Sequence, residues 1–329
     1  MTRALVFGKF LPFHNGHAAL LRFALTQADS VTALVCASDR EAIPGAQRAR
    51  WIRATFAGEA RLQVQVYEYS EADLVNSSVA DEAVAQQWAE VFRTVVPGHD
   101  LVVTSEPYGP MVARALGIAY RAFDPGRTQV PVSGTALRTD LAAHWQHLPD
   151  PVRADLALRV VILGTESTGK STLTADLAAH FNGTLVTEAG RDLIADSNDF
   201  VYADLLRVAE AHAQRVAAAA RGPRPLLFID TDLHITRSYA RFVFGRELEV
   251  SAAIEAESRA DLRLYLDAAV PFVQDGTRLH EGHRNRLDAS HRAVLAERKL
   301  PFTELRGTWE ARRVGAIVAV EELLSLPRW

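Results

Sequence analysis

The chain has 329 residues, of which 48% are hydrophobic, 23% charged and 8% aromatic; this is the balance of a soluble globular protein with apolar mass for two domains, not of a disordered chain. Its formal charge of −4 gives no global basic field to draw it to nucleic acid or an anionic membrane, so an anionic ligand must be held by local Lys, Arg and helix N-termini. Cys36 is the only cysteine, which excludes an internal disulfide framework and a cysteine-based zinc site. No apolar run has the length of a bilayer span, and the N-terminus enters a strand-like segment without a signal-peptide pattern; a cytoplasmic enzyme is expected.

Short apolar runs alternate with segments of helical period, the pattern of an α/β protein with parallel sheets. In the first half strands are expected at Ala4–Gly8, Val31–Ala37, Leu62–Tyr67, Leu101–Thr104 and Gly117–Arg121. Helices are expected near Gly16–Ala28, Gln47–Phe56, Val79–Val95, Pro110–Leu116 and Gly134–Ala143. Cys36 lies in the second of these strands and reads as a buried strand residue. The stretch Trp145–Leu156 carries Pro149 and Pro151 with little periodicity and reads as a connector. The strand pattern then restarts at Arg159–Gly164 and continues at Thr184–Thr187, Leu226–Asp230 and Leu262–Asp267, with helices at Lys170–Phe181, Ala203–Arg221, Leu233–Phe244 and Thr308–Leu324. Two nucleotide-binding domains in series, each a doubly wound parallel sheet, are expected: a Rossmann-like domain at 1–144 and a second at 158–329, joined by 145–157.

In the first domain the loop Gly8-Lys9-Phe10-Leu-Pro-Phe13-His14-Asn15-Gly16-His17 lies between strand one and helix one. Gly16 allows close backbone approach to a nucleotide. His14 and His17, spaced by two residues near a helix N-terminus, suit donation to phosphate oxygens during transfer, and Lys9 adds a cation. Phe10 belongs to the same nucleotide loop. Much later, Val132-Ser133-Gly134-Thr135-Ala-Leu-Arg138 is similar to the I-S-x-T-x-x-R element that accompanies H-x-G-H in nucleotidyltransferases. Ser133 can cap a helix whose free N–H groups hold phosphate, and Arg138 lies one turn further on. The chemistry needs no general base, because a substrate phosphate attacks the α-phosphorus of ATP directly; positioning, Mg²⁺ and charge neutralisation carry it.

In the second domain Gly164-Thr-Glu-Ser167-Thr168-Gly169-Lys170-Ser171 fits G-x-x-x-x-G-K-[ST] between a strand and a helix. The backbone N–H groups of this loop cradle phosphates. Lys170 neutralises the β- and γ-phosphates, and Ser171 offers its hydroxyl to Mg²⁺ with Thr172 beside it. Leu226-Leu-Phe-Ile-Asp230-Thr-Asp232 is an apolar strand ending in acidic residues, a Walker B pattern in which Asp230 faces the metal. Glu188 and Arg191 follow the next strand, at the sheet edge where open α/β folds bind ligands. Asp275–Arg286 is rich in Gly and Arg and reads as a mobile lid whose arginines, Arg278 among them, close over transferring phosphates. His280 and His283 read as lid residues, not as a zinc site.

Taken in order, GKFLPFHNGH, SEPYG (105–109), DPGRTQVPVSGTALRTD (124–140), GTESTGKST (164–172), EAGRDL (188–193), FIDTD (228–232) and PFVQDGTR (271–278) make the chain resemble the NadR-type bifunctional proteins. In that family a nicotinamide mononucleotide adenylyltransferase is fused to a ribosylnicotinamide kinase. The resemblance implies that the kinase makes nicotinamide mononucleotide from the riboside and ATP, and that the transferase joins it to AMP from a second ATP, giving NAD and pyrophosphate. It places His14, His17, Ser133, Thr135 and Arg138 at adenylyl transfer with Lys9 assisting, and Gly164, Gly169, Lys170, Ser171 and Thr172 on the kinase ATP. Glu188, Arg191, Asp230 and Asp232 would face riboside and metal, with Glu188 and Asp230 both able to serve as base. Relatives carry an aromatic residue where Thr187 stands; Phe200, Tyr202 or Tyr239 would then supply the ring. Some relatives add an N-terminal DNA-binding module, whereas this chain begins at the transferase strand, so nucleic acid is not an expected partner. Small molecules are the expected partners, and self-association stays open. H-x-G-H sets a reaction type and not an acceptor, so other phosphorylated metabolites, or an ATP- and NAD-binding sensor with little catalysis, remain alternatives.

Overall fold

A computed structural model describes residues 1–75, 81–194, 200–268 and 281–327. They form two compact units, Met1–Arg153 and Ala154–Pro327.

The first unit runs β1 (Arg3–Gly8), α1 (Asn15–Gln27), β2 (Ser30–Ser38), α2 (Gly45–Thr55), β3 (Leu62–Tyr69), α3 (Glu82–Val95), β4 (Leu101–Thr104), α4 (Gly109–Leu116), β5 (Ala119–Ala122) and α5 (Gly134–Thr139). All strand pairs are parallel, in the order β3-β2-β1-β4-β5. The interior strand β2 is buried almost residue by residue, as its unbroken apolar sequence requires when both sheet faces are covered. Edge strand β3, LQVQVYEY, alternates instead and is only partly buried. Leu5, Phe7, Leu34 and Cys36 share one face of the sheet and pack with Phe92 and Val96 from the α3 end and Val112 from α4. Cys36 is buried, and burial pushes its thiol up to about 12, so it is the inert strand residue its context suggested.

The connector is more structured than its sequence implied. It holds a 3-10 turn at Trp145–His147 and α6 (Asp150–Leu156), and Trp145, Leu148 and Val152 are buried. Its apolar residues are too few and too widely spaced to show periodicity.

The second unit continues with β6 (Leu158–Gly164), α7 (Lys170–His180), β7 (Thr184–Val186), α8 (Gly190–Leu193), α9 (Tyr202–Ala220), β8 (Leu226–Asp230), α10 (Leu233–Phe244), α11 (Ala252–Glu257), β9 (Leu262–Leu266), α12 (Glu281–Glu297), β10 (Thr303–Leu305) and α13 (Trp309–Ser325). Its parallel sheet has the order β10-β9-β6-β8-β7, so the phosphate-loop strand β6 is central. Val160, Ile162, Phe228 and Leu264 pack with Leu173 and Leu177 of α7 and Ala316 and Val320 of α13.

The segment expected to be a lid divides. Arg278 and His280 lie outside the described residues, but Glu281–Arg286 is the start of α12. There Arg284 is buried and donates to the Ala268 carbonyl, and the Arg286 guanidinium lies 5.4 Å from the Phe242 ring centroid. These two arginines are structural. A Gly- and Arg-rich composition masked a helix that continues through Arg292, Val294 and Leu295.

Candidate active sites

In the first unit strand order reverses between β1 and β4, the place where open α/β sheets form a ligand crevice. The loop after β1 occupies it. His14 is the N-cap of α1: its Nδ1 accepts from the backbone N–H of Gly16 (3.1 Å) and His17 (3.4 Å). A nitrogen that accepts carries no proton, so the proton sits on Nε2, the nitrogen left free to donate to a ligand. The His14 and His17 rings stack at 3.7 Å. Burial is the main cause holding both imidazoles neutral, His14 down at about 3 and His17 well below its ordinary value, with the nearby Arg127 cation adding to the effect. His17 Nδ1 is buried without a hydrogen-bond partner among the described residues.

Phe10 is itself buried, edge-on to the His17 ring at 5.0 Å, so it shapes the loop from behind. Lys9 is half-exposed and pairs with Glu41 at 3.8 Å. Arg48, which the sequence did not single out, is fully buried: it pairs with Glu41 at 2.7 Å and donates to the carbonyls of Lys9 and Ile43, both at 2.9 Å. It therefore clamps the backbone that presents Lys9.

Helix α5 meets this loop from the far end of the unit. Ser133 caps it by accepting from Ala136 N–H at 3.1 Å. Arg138 donates to the Leu11 carbonyl at 2.6 Å and to Thr135 Oγ1 at 3.3 Å. A Cβ at Gly134 would lie 2.7 Å from that Leu11 carbonyl, so only glycine lets the helix start so close to the loop. The intervening segments converge too. Asp124 accepts from the backbone of Thr128, Gln129 and Val130, a tight local turn. That turn sets out Arg127, which pairs with Glu106 at 3.4 Å. Beside Lys9, a cavity of about 60 Å³ is lined by Phe7, Tyr69, Trp88 and Tyr108 among others. Of these aromatic residues only Tyr108, in the SEPYG segment, belongs to a motif singled out in the sequence.

In the second unit the turn from β6 to α7 curls through positive φ at Gly164 (141°), Ser167 (61°) and Gly169 (91°). A side chain at Gly164 would strike the Leu266 carbonyl, and one at Gly169 would press on the Trp309 ring. Lys170 Nζ donates to the Thr165 carbonyl at 2.9 Å. The Ser171 hydroxyl donates to Asp230 Oδ2, while Asp230 Oδ1 is buried with no hydrogen-bond partner among the described residues. A hydroxyl against a carboxylate with one oxygen unsatisfied is a donor set that fits a hard divalent cation.

The phosphate loop opens into a cavity of about 450 Å³. Its lining includes Ser167, Thr168, Gly169, Lys170, Ser171 and Thr172, then Glu188 and Arg191, and beyond them an apolar wall with Phe200, Leu205, Ile235 and Tyr239. Glu188 is half-buried and paired with Arg191 at 3.4 Å. Burial raises its carboxyl above the ordinary range against the opposing pull of Lys170, and Asp230 adds to the rise. The Thr187 side chain is taken by Arg215, which also donates to the carbonyls of Thr187 and Glu188.

Two residues assigned to substrate stand elsewhere. Asp232 caps α10, accepting from His234 and Ile235 N–H, and pairs with Arg263 at 3.4 Å; it borders a separate cavity of about 20 Å³. Tyr202 donates to the Glu247 carbonyl and packs on Phe244 behind the cleft wall. An acidic pair after a strand reads the same in sequence whether the second member serves the ligand or the helix.

A protein-family model described as an AAA domain matches residues 159–312. The trifunctional NAD biosynthesis/regulator protein NadR of Escherichia coli is 29% identical over 99% of this chain and 84% of its own length. The chain is a homologue of NadR. The nicotinamide-nucleotide adenylyltransferase of Methanoculleus marisnigri is 23% identical over 47% of this chain and 90% of its own length. A crystal structure of NadR in complex with NR shares the fold, with a TM-score of 0.66 and 23% identity, covering 99% of this chain and 97% of that chain. The NadR likeness thus extends across both parallel sheets.

Proposed function

We propose that the chain is a bifunctional enzyme of NAD biosynthesis: a ribosylnicotinamide kinase in residues 158–329 and a nicotinamide mononucleotide adenylyltransferase in 1–144, joined by 145–157. The observation that carries the kinase is the single cavity in which the phosphate loop and an acceptor compartment meet, with Glu188 at the junction. Names borne by relatives support the substrates: adenylyltransferase for the first unit and a complex with NR for NadR.

In the kinase, the loop N–H groups and Lys170 would hold the ATP phosphates. Lys170 would exchange its bond to the Thr165 carbonyl for phosphate oxygens. Ser171 and Asp230 would hold Mg²⁺, which when bound neutralises phosphate charge. Of the two possible bases, Asp230 is committed to Ser171 and the cation position. Glu188, raised by burial and free of the phosphate loop, would take the proton of the riboside 5′-hydroxyl. Phe200 and Tyr239 would supply the flat wall for the pyridine ring that Thr187 does not.

In the transferase, His14 Nε2–H, His17, Lys9, Arg138 and the first turn of α5 would hold the triphosphate. Their neutral and cationic donors would stabilise charge on the α-phosphorus as the acceptor phosphate displaces pyrophosphate. The aromatic cavity beside Lys9 would take the acceptor's ring. The experiment is an incubation of the chain with nicotinamide riboside, ATP and Mg²⁺, resolved by chromatography. Nicotinamide mononucleotide followed by NAD is the expected result. NAD from supplied mononucleotide but nothing from the riboside would overturn the kinase assignment, and no product from either would overturn both.

A further inference from the structure

Between Asp230 and Asp232 stands Thr231, a β-branched residue at φ 71°. L-residues avoid this region, and a β-branched one most of all, because Cβ crowds the backbone. The conformation is held from both sides of the peptide: Thr231 N–H donates to the Ile162 carbonyl at 3.0 Å, and the Thr231 carbonyl accepts from His212 Nε2 at 3.2 Å. His212 is buried and burial depresses its protonation, so it is a neutral ring with its proton on Nε2. A turn alone would not call for threonine, since glycine or asparagine adopts this geometry at lower cost.

What threonine adds is a hydroxyl. Thr231 is 5% exposed, its Oγ1 has no hydrogen-bond partner among the described residues, and the residue lines the 450 Å³ cleft. Buried hydroxyls are almost always satisfied; this one is enclosed and unsatisfied in a residue that lines a ligand cleft. Thr231 directly follows the strand that ends at Asp230, and it lines the same cleft as Lys170, Ser171, Glu188 and the apolar acceptor wall. In the phosphotransfer reading, the group that passes through this cleft is the transferring phosphoryl.

We propose that Thr231 Oγ–H is a catalytic donor to a non-bridging oxygen of the transferring phosphoryl group, with His212 as the positioning residue that fixes Thr231 through its carbonyl. The inference rests on the phosphotransfer reading above. No bond to Thr231 forms or breaks: the acceptor oxygen bonds to phosphorus, the bond to ADP breaks, and the hydroxyl keeps its proton while stabilising the charge.

The test compares wild type with T231V, T231S and T231G in kinase assays with nicotinamide riboside and ATP, with thermal melts of each variant. T231V keeps the shape and the backbone cost but lacks the donor; its kcat should fall roughly 10²-fold, as when one preorganised donor is removed, with KM for both substrates within about threefold. T231S should keep most of the rate. T231G should melt at a higher temperature than wild type because the left-handed turn is relaxed, yet lose rate as T231V does. H212F should lower kcat while T231S in the same background gives no recovery. Wild-type kcat in T231V or T231G would overturn the inference, and so would a rise in KM for the riboside with kcat unchanged. An inactive wild-type chain overturns the phosphotransfer reading instead.

Discussion

Arg138 donates to the Leu11 carbonyl at 2.6 Å across 127 residues of chain, so the helix that follows Ser133 and the loop that carries the two histidines form one surface. The bond uses one arm of the guanidinium, and Nη2 reaches Thr135 Oγ1 at 3.3 Å. A forked, planar cation can hold a loop and still present N–H groups to a phosphate in a fixed geometry; an ammonium is a compact point charge without that fork.

Arg138→Lys should therefore lower adenylyl transfer by roughly 10²-fold, the order seen for loss of a preorganised donor to developing charge. Kinase activity of the same protein should be unchanged. Both are read from one preparation, as NAD from supplied mononucleotide and mononucleotide from the riboside. Equal loss of the two activities would mean that the substitution acts on folding and not on the site.

Gly16→Ala tests the histidine geometry. A Cβ at position 16 would stand 2.9 Å from His14 Cε1 and 3.0 Å from Nδ1, inside any real contact. The ring must turn away, breaking the bonds that fix its tautomer. Adenylyl transfer should drop by about 10-fold to 10²-fold through misplacement alone, with little change in melting temperature, since the displaced ring faces the ligand crevice. Activity within twofold of wild type would show that His14 is not held by these bonds during catalysis.

What sequence could and could not convey follows from how each feature is built. The phosphate loop was legible because its chemistry is contiguous: Gly164, Gly169, Lys170 and Ser171 must follow one another for the backbone to curl. The histidine loop and the Ser133 helix were legible as separate segments, but their joint at Leu11 and Arg138 is a tertiary contact with no local signature. Arg48 could not be singled out, since nothing in Gln47–Arg50 tells that its side chain turns inward to Glu41. The bonds that occupy Asp232 and Tyr202 were hidden for a related reason: a polar residue near a site satisfies backbone groups as often as ligands. The start of α12 at Glu281 was obscured by charged residues whose helical partners lie further on.

The Arg48–Glu41 pair offers a stability test. Arg48 is fully buried, its Glu41 partner has a side chain only 8% exposed, and their separation is 2.7 Å. Arg48→Met leaves Glu41 buried with the Ser38 N–H at 3.2 Å and a 3.8 Å contact to Lys9, and strips donors from the Lys9 and Ile43 carbonyls. Breaking a buried pair from one side costs about 3–5 kcal/mol. The melting transition should fall by several degrees, and the double variant Arg48→Met, Glu41→Met should recover part of the loss. A single variant that melts with wild type would show the pair to be solvated.

Buried neutral histidines make the fold acid-sensitive. His14 and His291 both have protonation held down to about 3 by burial, against an ordinary value of 6.5. The folded state keeps these rings uncharged while the unfolded chain binds protons below 6.5. Their contribution to stability is therefore complete above about pH 6.5 and is lost as pH falls from there toward 3, at about 1.4 kcal/mol per pH unit for each ring. His291 offers the cleaner test, because neither ring nitrogen has a hydrogen-bond partner among the described residues. His291→Leu should flatten the decline in melting temperature between pH 7.5 and 5, and an unchanged slope would show that the ring is already protonated in the fold.

The choice of Glu188 over Asp230 as kinase base makes a pH prediction for activity instead of stability, from a group whose shift runs opposite to that of the histidines. A base must be ionised to act, so the riboside kcat/KM should fall on the acid side, with its midpoint above the ordinary 4.5 because burial raises Glu188. Arg191 pairs with Glu188 at 3.4 Å and holds the carboxyl down. Removing that cation in Arg191→Met should move the acid limb to still higher pH. The size of the move will be modest, since Arg191 is largely exposed and water screens it. Glu188→Gln should abolish phosphorylation while leaving ATP binding intact. If Asp230 were the base, the limb would stay where it is in Arg191→Met, because Asp230 is bonded to Ser171 and no contact joins it to Arg191. A pH profile of the two proteins, taken with ATP and Mg²⁺ saturating, separates the two carboxylates that sequence alone left equal.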